Sequence, residues 1–291
     1  MHIVVFVRQV LDTRLPLEIT PQGEVSQKSC SPIYVMDLAD RCALEEAMRI
    51  RAEVENTIVT AITLGPVRCK SVLSDCLARG VDRAIHLVVD VPAPLDSLSA
   101  ARILVRHIQE LDFDLLLCGN RTLDDGPSEV GPALAELLAV AGVTGVVKLA
   151  VSAPERRLVA ERKLERGYRQ VVEADLPAVV SVDGSICQPR YVSTRARSYA
   201  ARTLAERCSV VQLQSPTQSE CPPLRSLLRH ASPRPRPKKT AQPDSSMSVE
   251  DRMAMIMGGG APTISGTKVA TGPESAADEI IAFLKDIGVL T

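Results

Sequence analysis

Asp124, Asp125, Ser128 and Glu129 crowd a short stretch between Gly119 and Gly131, inside the segment LLLCGNRTLDDGPSEVGPALAELL that runs from Leu115 to Leu138. Paired carboxylates can hold a cation or move a proton, and a hydroxyl beside glycine amides can hold an anion. The segment opens as an apolar strand, passes through turn residues and ends as an amphipathic helix. In an open parallel sheet such a strand-to-helix junction is a usual ligand position, because the amides of a helix start attract anions. An ordinary βα loop with Asp or Ser capping the helix explains the same residues, and on this segment alone it is the preferred account. Two carboxylates without further ligands are weak support for a metal.

Other chemistry is scarce. The chain has no GxGxxG, no Walker loop, no GxSxG and no HExxH. His86 and His107 sit in apolar strand or helix contexts that favour structural roles, while His2 and His230 lie at the terminus and in a Pro-rich stretch. Gly258 to Gly260 follow a Met-rich helical stretch instead of a strand, which reads as a hinge. The cysteines, Cys30, Cys42, Cys69, Cys76, Cys118, Cys187, Cys208 and Cys221, form no CxxC pair and are read as small reduced hydrophobes.

Composition narrows the classes. At 45% hydrophobic and 24% charged residues, the chain has the make-up of a globular protein. Aromatic residues are only 2%, with no Trp, so base-stacking platforms are missing, and a net charge of -1 gives no basic field for phosphate backbones. Nucleic acid is excluded as a partner on these grounds. The apolar run MHIVVFVRQV is too short for a signal-peptide core, and no run reaches membrane-spanning length, so a reducing cytoplasm is expected.

The elements that must position the loop alternate. HIVVFVRQV is a strand buried on both faces, and PLEITPQGEVSQKSCSPIYVMD is a hairpin turning at Pro21 to Gly23. A helix is expected from Asp40, then a strand to Gly65, a helix closed by Gly80, a strand, a helix, the strand before Gly119, and a helix over 132–141. This order implies right-handed crossovers and a mostly parallel α/β sheet with helices on both faces. From Val143 the pattern alternates, with charged turns at 154–157 and 165–167, as expected for antiparallel strands returning to a last core strand, PAVVSVD. Three regions follow: an α/β domain over 1–214, a Pro/Ser-rich linker over 215–248, and an extension over 249–291 whose helix starts near Pro273 to Ser275 and stops at Gly288.

HIVVFVRQVLDT, ALEEAMRIRAE, TLGPVRCKSVLSDCLARGVDRAIHL, the 115–138 segment, AERKLERGYRQVVEADLPAVVSV and QPRYVSTRAR occur in the order and spacing of the electron transfer flavoprotein beta subunit family. The resemblance spans roughly 1–210, and the ending TGPESAADEIIAFLKDIGVL is similar to that subunit's last helix. It implies an adenine-nucleotide-binding fold and a heterodimer with an alpha subunit that carries FAD. Electrons would come from flavin-containing dehydrogenases and pass to a quinone oxidoreductase. The beta subunit would hold AMP, or a second FAD in a bifurcating, NADH-dependent member.

By position the resemblance places the nucleotide against Phe6, Asp37, Leu38, Ala39, Asp40 and Leu64. The loop Gly119, Asn120, Arg121, Thr122, Leu123, Asp124, Asp125, Gly126, Pro127, Ser128, Glu129, Val130 and Gly131 would cradle the phosphate with backbone amides and Ser128. Docking of the dehydrogenase would fall to Tyr191, Thr194, Arg195 and Arg197, with Arg190 and Arg202 adding positive charge. The chain departs from the family pattern in having Asp37-Leu38 in place of Asn-Pro, and Pro127 and Glu129 in place of a Thr hydroxyl and an amide side chain. A stress-protein-like ATP-binding module shares the general fold but leaves QPRYVSTRAR and the final helix unexplained.

Overall fold

The computed structural model describes residues 1–15, 17–19, 25–27, 32–89, 96–124 and 126–213, together with 248–250, 252–253, 272, 276–278 and 280–282. Strand β1 (His2–Phe6) is followed by β2 (Gln9–Leu11), β3 (Leu17–Ile19), β4 (Val25–Gln27) and β5 (Tyr34–Met36). Then come α1 (Leu38–Glu53), β6 (Ile58–Gly65), α2 (Lys70–Ala78), β7 (Arg83–Val88), α3 (Ser97–Ile108) and β8 (Leu115–Gly119). Two very short strands, β9 (Arg121–Thr122) and β10 (Gly126–Pro127), precede α4 (Val130–Leu138). The series closes with β11 (Ala141–Ser152), β12 (Arg157–Lys163), β13 (Arg169–Asp175), β14 (Ala178–Val182), α5 (Thr194–Arg207) and β15 (Cys208–Gln212).

The main sheet has nine strands in the order β13-β12-β11-β14-β8-β1-β6-β7-β15. It is parallel from β11 to β15, and β12 and β13 extend it antiparallel. This is the mostly parallel α/β sheet expected from the alternation. β1 explains its centre: Ile3, Val5 and Val7 join the core under α1 and α2, whereas Val4 and Phe6 join the core under α3 and α4. Side chains of a strand point alternately to both faces, so a continuous apolar run is what a doubly covered strand requires.

Several boundaries differ from those read in the sequence. α1 begins at Leu38, because Asp37 caps it and accepts the Ala39 amide at 2.9 Å. α4 covers Val130–Leu138 and not 132–141; Pro132 lies in its first turn, where a missing N–H costs nothing, and Ala139 ends it in the left-handed region. The hairpin forms through β3 and β4, while Tyr34–Met36 pairs with β2 instead. PAVVSVD is the last fully buried strand, as read, and β15 adds a further, partly exposed strand at the far edge beside β7.

The chain divides into two units, Met1–Ser232 and Pro233–Thr291. The linker expected over 215–248 lies outside the described residues except for Ser248, as do Gly258 to Gly260. In the second unit the Ala276 amide donates to Gly272 O at 3.0 Å, and Ile280 and Ile281 are exposed. Among the described residues no helix is long and apolar enough to cross a membrane.

Candidate functional site

The chain leaves β1 toward β6 on one side and returns through α3 to β8 on the other. The β1/β8 junction is therefore the topological switch point, where the loops beyond the strand ends diverge and open a crevice. Arg8, two residues beyond β1, fills its base. Nε and Nη2 donate to the two Asp40 carboxylate oxygens at 2.8 and 2.6 Å, Nη1 donates to Ser128 Oγ, and Nη2 also reaches the Gly119 and Arg121 carbonyls. Burial works against the guanidinium charge, but the Asp40 carboxylate outweighs it and raises the Arg8 pKa. Asp40 also accepts the amides of Arg8 and Gly119, each at 2.8 Å.

Gly119 is required by this closeness. A Cβ there would stand 2.6 Å from Asp40 Oδ1 and 2.7 Å from the Ala39 Cβ. Asp37 ties the same loop to α1, accepting the Leu123 amide at 2.8 Å through the oxygen not used by the cap. Its pKa is raised, first by burial and then by the neighbouring Asp40 charge.

A cavity of about 630 Å³ opens against this framework. Asp37, Leu38 and Ala39 form one wall, and Asn120, Arg121, Thr122 and Leu123 form a second. Gly145, Lys163, Leu164, Glu165, Asp183 and Gly184 complete it from the β11–β12 region and the end of β14. Asn120 Nδ2 donates to Asp183 at 3.2 Å, which leaves Asn120 Oδ1 buried without a hydrogen-bond partner. Burial opposes the Asp183 charge, yet the Ser185 hydroxyl and amide and Asn120 hold its carboxyl below the usual range.

The expected site residues thus fall into two groups. Asp37 to Ala39 and Asn120 to Leu123 line the cavity. Phe6 is buried in the core beneath α3 and α4 with the Arg8 guanidinium 5.9 Å above its ring, Leu64 is half-buried against the same core, and Asp40 is buried under Arg8. Gly126 lies in β10 at φ +87°, Asp124 is exposed, and Asp125 and the Pro127 side chain lie outside the described residues. Ser128 is engaged at both ends, its hydroxyl by Arg8 and its amide by Asn120 O at 3.0 Å. α4 starts at Glu129 without any side-chain cap, so neither Asp nor Ser caps it. The Val130 and Gly131 amides, in the first turn, have no partner within the helix itself.

Tyr191, Thr194, Arg195 and Arg197 are exposed, and Thr194 onward is the start of α5, capped by Ser193. Arg8, Lys163, Glu165 and Asp183 were missed in the sequence. Arg8 left one signal, a cation at the end of the buried run HIVVFV. The other three reach the cavity only through long-range pairing.

The walls combine carboxylates suited to ribose hydroxyls, a free amide oxygen suited to an N–H donor, and apolar Leu38, Leu123 and Leu164 suited to a flat ring. No cluster of metal-ligating side chains occurs among the described residues. The crevice, sheet and loop together define an α/β fold with a cavity at its switch point. The family model of the electron transfer flavoprotein domain matches residues 33–216. An electron transfer flavoprotein subunit beta from Thermoanaerobacterium thermosaccharolyticum is 33% identical over 195 residues, covering 67% of this chain and 73% of that protein. The subunit beta of Bacillus subtilis is 26% identical over 258 residues, covering 88% and 97%. The acryloyl-CoA reductase electron transfer subunit gamma of Anaerotignum propionicum is 28% identical over 197 residues, covering 66% and 72%. The chain belongs to the electron transfer flavoprotein beta subunit family.

Proposed function

We propose that the chain is the beta subunit of a heterodimeric electron transfer flavoprotein, working in the cytoplasm. It would take electrons from flavin-containing dehydrogenases and deliver them toward a quinone oxidoreductase. The redox FAD is held mainly by the alpha partner, and this subunit holds AMP. The domain over 1–214 carries the nucleotide, 215–248 serves as a linker, and the 249–291 extension packs its helix on the alpha subunit.

The observation that carries the nucleotide reading is the switch-point cavity with the buried, unpartnered Asn120 Oδ1 beside it. Its volume of about 630 Å³ lies within the range usual for small-ligand sites, ~300–1,000 Å³. Asn120 would accept an N–H of the base, Asp37 or Asp183 the ribose hydroxyls, and the first-turn amides of α4 the phosphate. When FAD is bound in the complex, it supplies the electron-carrying chemistry. This chain's residues hold the ligand, orient it and exclude water.

A second reading rests on the likeness to the acryloyl-CoA reductase electron transfer subunit. On this reading the present subunit would carry its own FAD and work in an NADH-dependent, bifurcating complex. Denaturing the purified complex and quantifying released cofactors tests both. One FAD and one AMP per heterodimer support the first reading, and two FAD support the second. Release of neither nucleotide nor flavin overturns the nucleotide assignment.

A further inference from the structure

Six free cysteines lie among the described residues, and two of them differ from the rest. Cys69, Cys76, Cys118 and Cys208 are buried, and burial pushes their thiols up, that of Cys118 to about 12. They behave as small hydrophobes. Cys187 alone is only partly buried, and it meets Cys42 across 145 positions of sequence. The Cys42 thiol donates to Cys187 O at 3.4 Å, and the Cys187 thiol lies 3.6 Å from Cys42 O. The neighbouring Cys187 side chain is the largest influence holding the Cys42 thiol below the usual thiol range.

We propose that Cys42 and Cys187 are a peroxide-responsive dithiol that closes to a reversible disulfide and staples the loop after β14 to α1. Each thiol lies within 3.6 Å of the other residue's carbonyl oxygen, so the two side chains meet at close range, and closely spaced residues are what a disulfide asks for. A hydroperoxide is the oxidant. One thiolate attacks the peroxide oxygen, breaking the O–O bond to give a sulfenic acid and releasing hydroxide that is protonated to water. The second thiol then displaces the sulfenic hydroxyl, which leaves with a proton as water, and the S–S bond forms. Two thiols and one hydrogen peroxide thus become one disulfide and two waters, and a dithiol reductant restores the pair.

The staple would act on the cavity. Cys42 lies on α1 one turn beyond Ala39, and its thiol also donates to Gly184 O at 3.4 Å. Ala39 and Gly184 belong to different walls of the cavity, so the bond would fix one wall to the other. The proposal does not depend on which nucleotide the cavity takes.

The test treats the purified full-length protein with hydrogen peroxide near stoichiometry, then blocks and counts thiols after denaturation. Non-reducing digestion and mass spectrometry follow. The expected result is loss of two of the eight thiols, a linked pair of peptides containing Cys42 and Cys187, slower amide exchange across 183–190, and full reversal by dithiothreitol. Cys187→Ser, at the more exposed partner, keeps the fold and is expected to retain its remaining thiols at the same dose. The proposal is overturned if Cys187 goes to sulfinic acid unlinked, if other cysteines pair instead, or if the C187S protein loses thiols as fast as wild type.

Discussion

The Gly119 amide donates to Asp40 Oδ1 at 2.8 Å, in a space where a Cβ on residue 119 would come within 2.6 Å of the same oxygen. The end of β8 and the first turn of α1 therefore touch backbone to side chain. Gly119→Ala is expected to lower stability by about 1–3 kcal/mol, the usual cost of overpacking. Gly126 is the contrast, for a Cβ there meets no atom within 4 Å although φ is +87°. Gly126→Ala should cost only its backbone strain, roughly 1–2 kcal/mol. Urea denaturation of both variants compares space with strain; a Gly119→Ala protein as stable as wild type would refute the close-approach argument.

Arg8 and Asp40 are a pair whose partners cannot be removed one at a time without harm. Their side chains are 14% and 0% exposed, and the guanidinium also holds Ser128 and two loop carbonyls. Asp40→Ala leaves a buried cation, with an expected loss of about 3–5 kcal/mol. Arg8→Met combined with Asp40→Leu should lose much less than the two single changes added together. Additive losses in chemical denaturation would mean that the charges are not coupled.

The sheet was legible because its strands are continuous apolar runs and its helices show an amphipathic period. What the sequence concealed has three different causes. Asp37 and Leu38 fell outside the helix expected from Asp40, since a helix cap has extended backbone and only the bond from the Ala39 amide reveals it. Cys208–Gln212 is a short run between a charged helix and a Pro-rich stretch, and its strand character comes from pairing with β7. The third wall of the cavity, Lys163 to Glu165 with Asp183, is assembled by β11, β12 and β14 from residues remote from the loop. Local pattern carries no trace of such an arrangement, whereas the loop itself could be marked as a ligand position from its junction.

Asp37 should matter through both of its oxygens. One caps α1 and the other accepts Leu123 N, so Asp37→Asn keeps a cap but turns an N–H toward one of two donors. An unpaired buried donor costs about 1–3 kcal/mol. The expected outcome is faster amide exchange at Leu123 with exchange in the middle of α1 unchanged. Unchanged protection at Leu123 would show that its amide does not depend on the carboxylate.

His86 is 1% exposed in β7, and its Nε2–H donates to Gly65 O at 3.2 Å. Burial depresses its pKa below the ordinary 6.5, against the opposing pull of the Gly65 and Pro66 backbone, while Lys70 adds to the depression. The unfolded chain then takes up a proton that the folded chain resists. Stability present above the unfolded value is lost as pH falls through it. Between roughly pH 7.5 and 5.5 the wild type should lose more stability than His86→Gln, which cannot titrate. Equal losses would assign the acid sensitivity to other groups.

The basic segment around α5 carries less free charge than its sequence suggests. Arg190 pairs with Glu45 at 2.8 Å and Arg197 with Asp75 at 3.5 Å, whereas Arg195 and Arg202 have no ion pair among the described residues. The helix start at Thr194, capped by Ser193, adds its own partial positive charge beside Arg195. On the proposal that a flavin dehydrogenase docks here, steering of an acidic partner falls mainly to Arg195 and the helix start. Such steering is screened beyond a Debye length of about 8 Å at physiological salt. Electron transfer from the dehydrogenase to the assembled complex should therefore slow as salt rises, and Arg195→Ala should flatten that dependence. Arg197→Ala should change the salt dependence less, because that side chain lies against Asp75, a carboxylate it shares with Arg79. If wild type and both variants show the same flat dependence, the α5 start does not guide the donor.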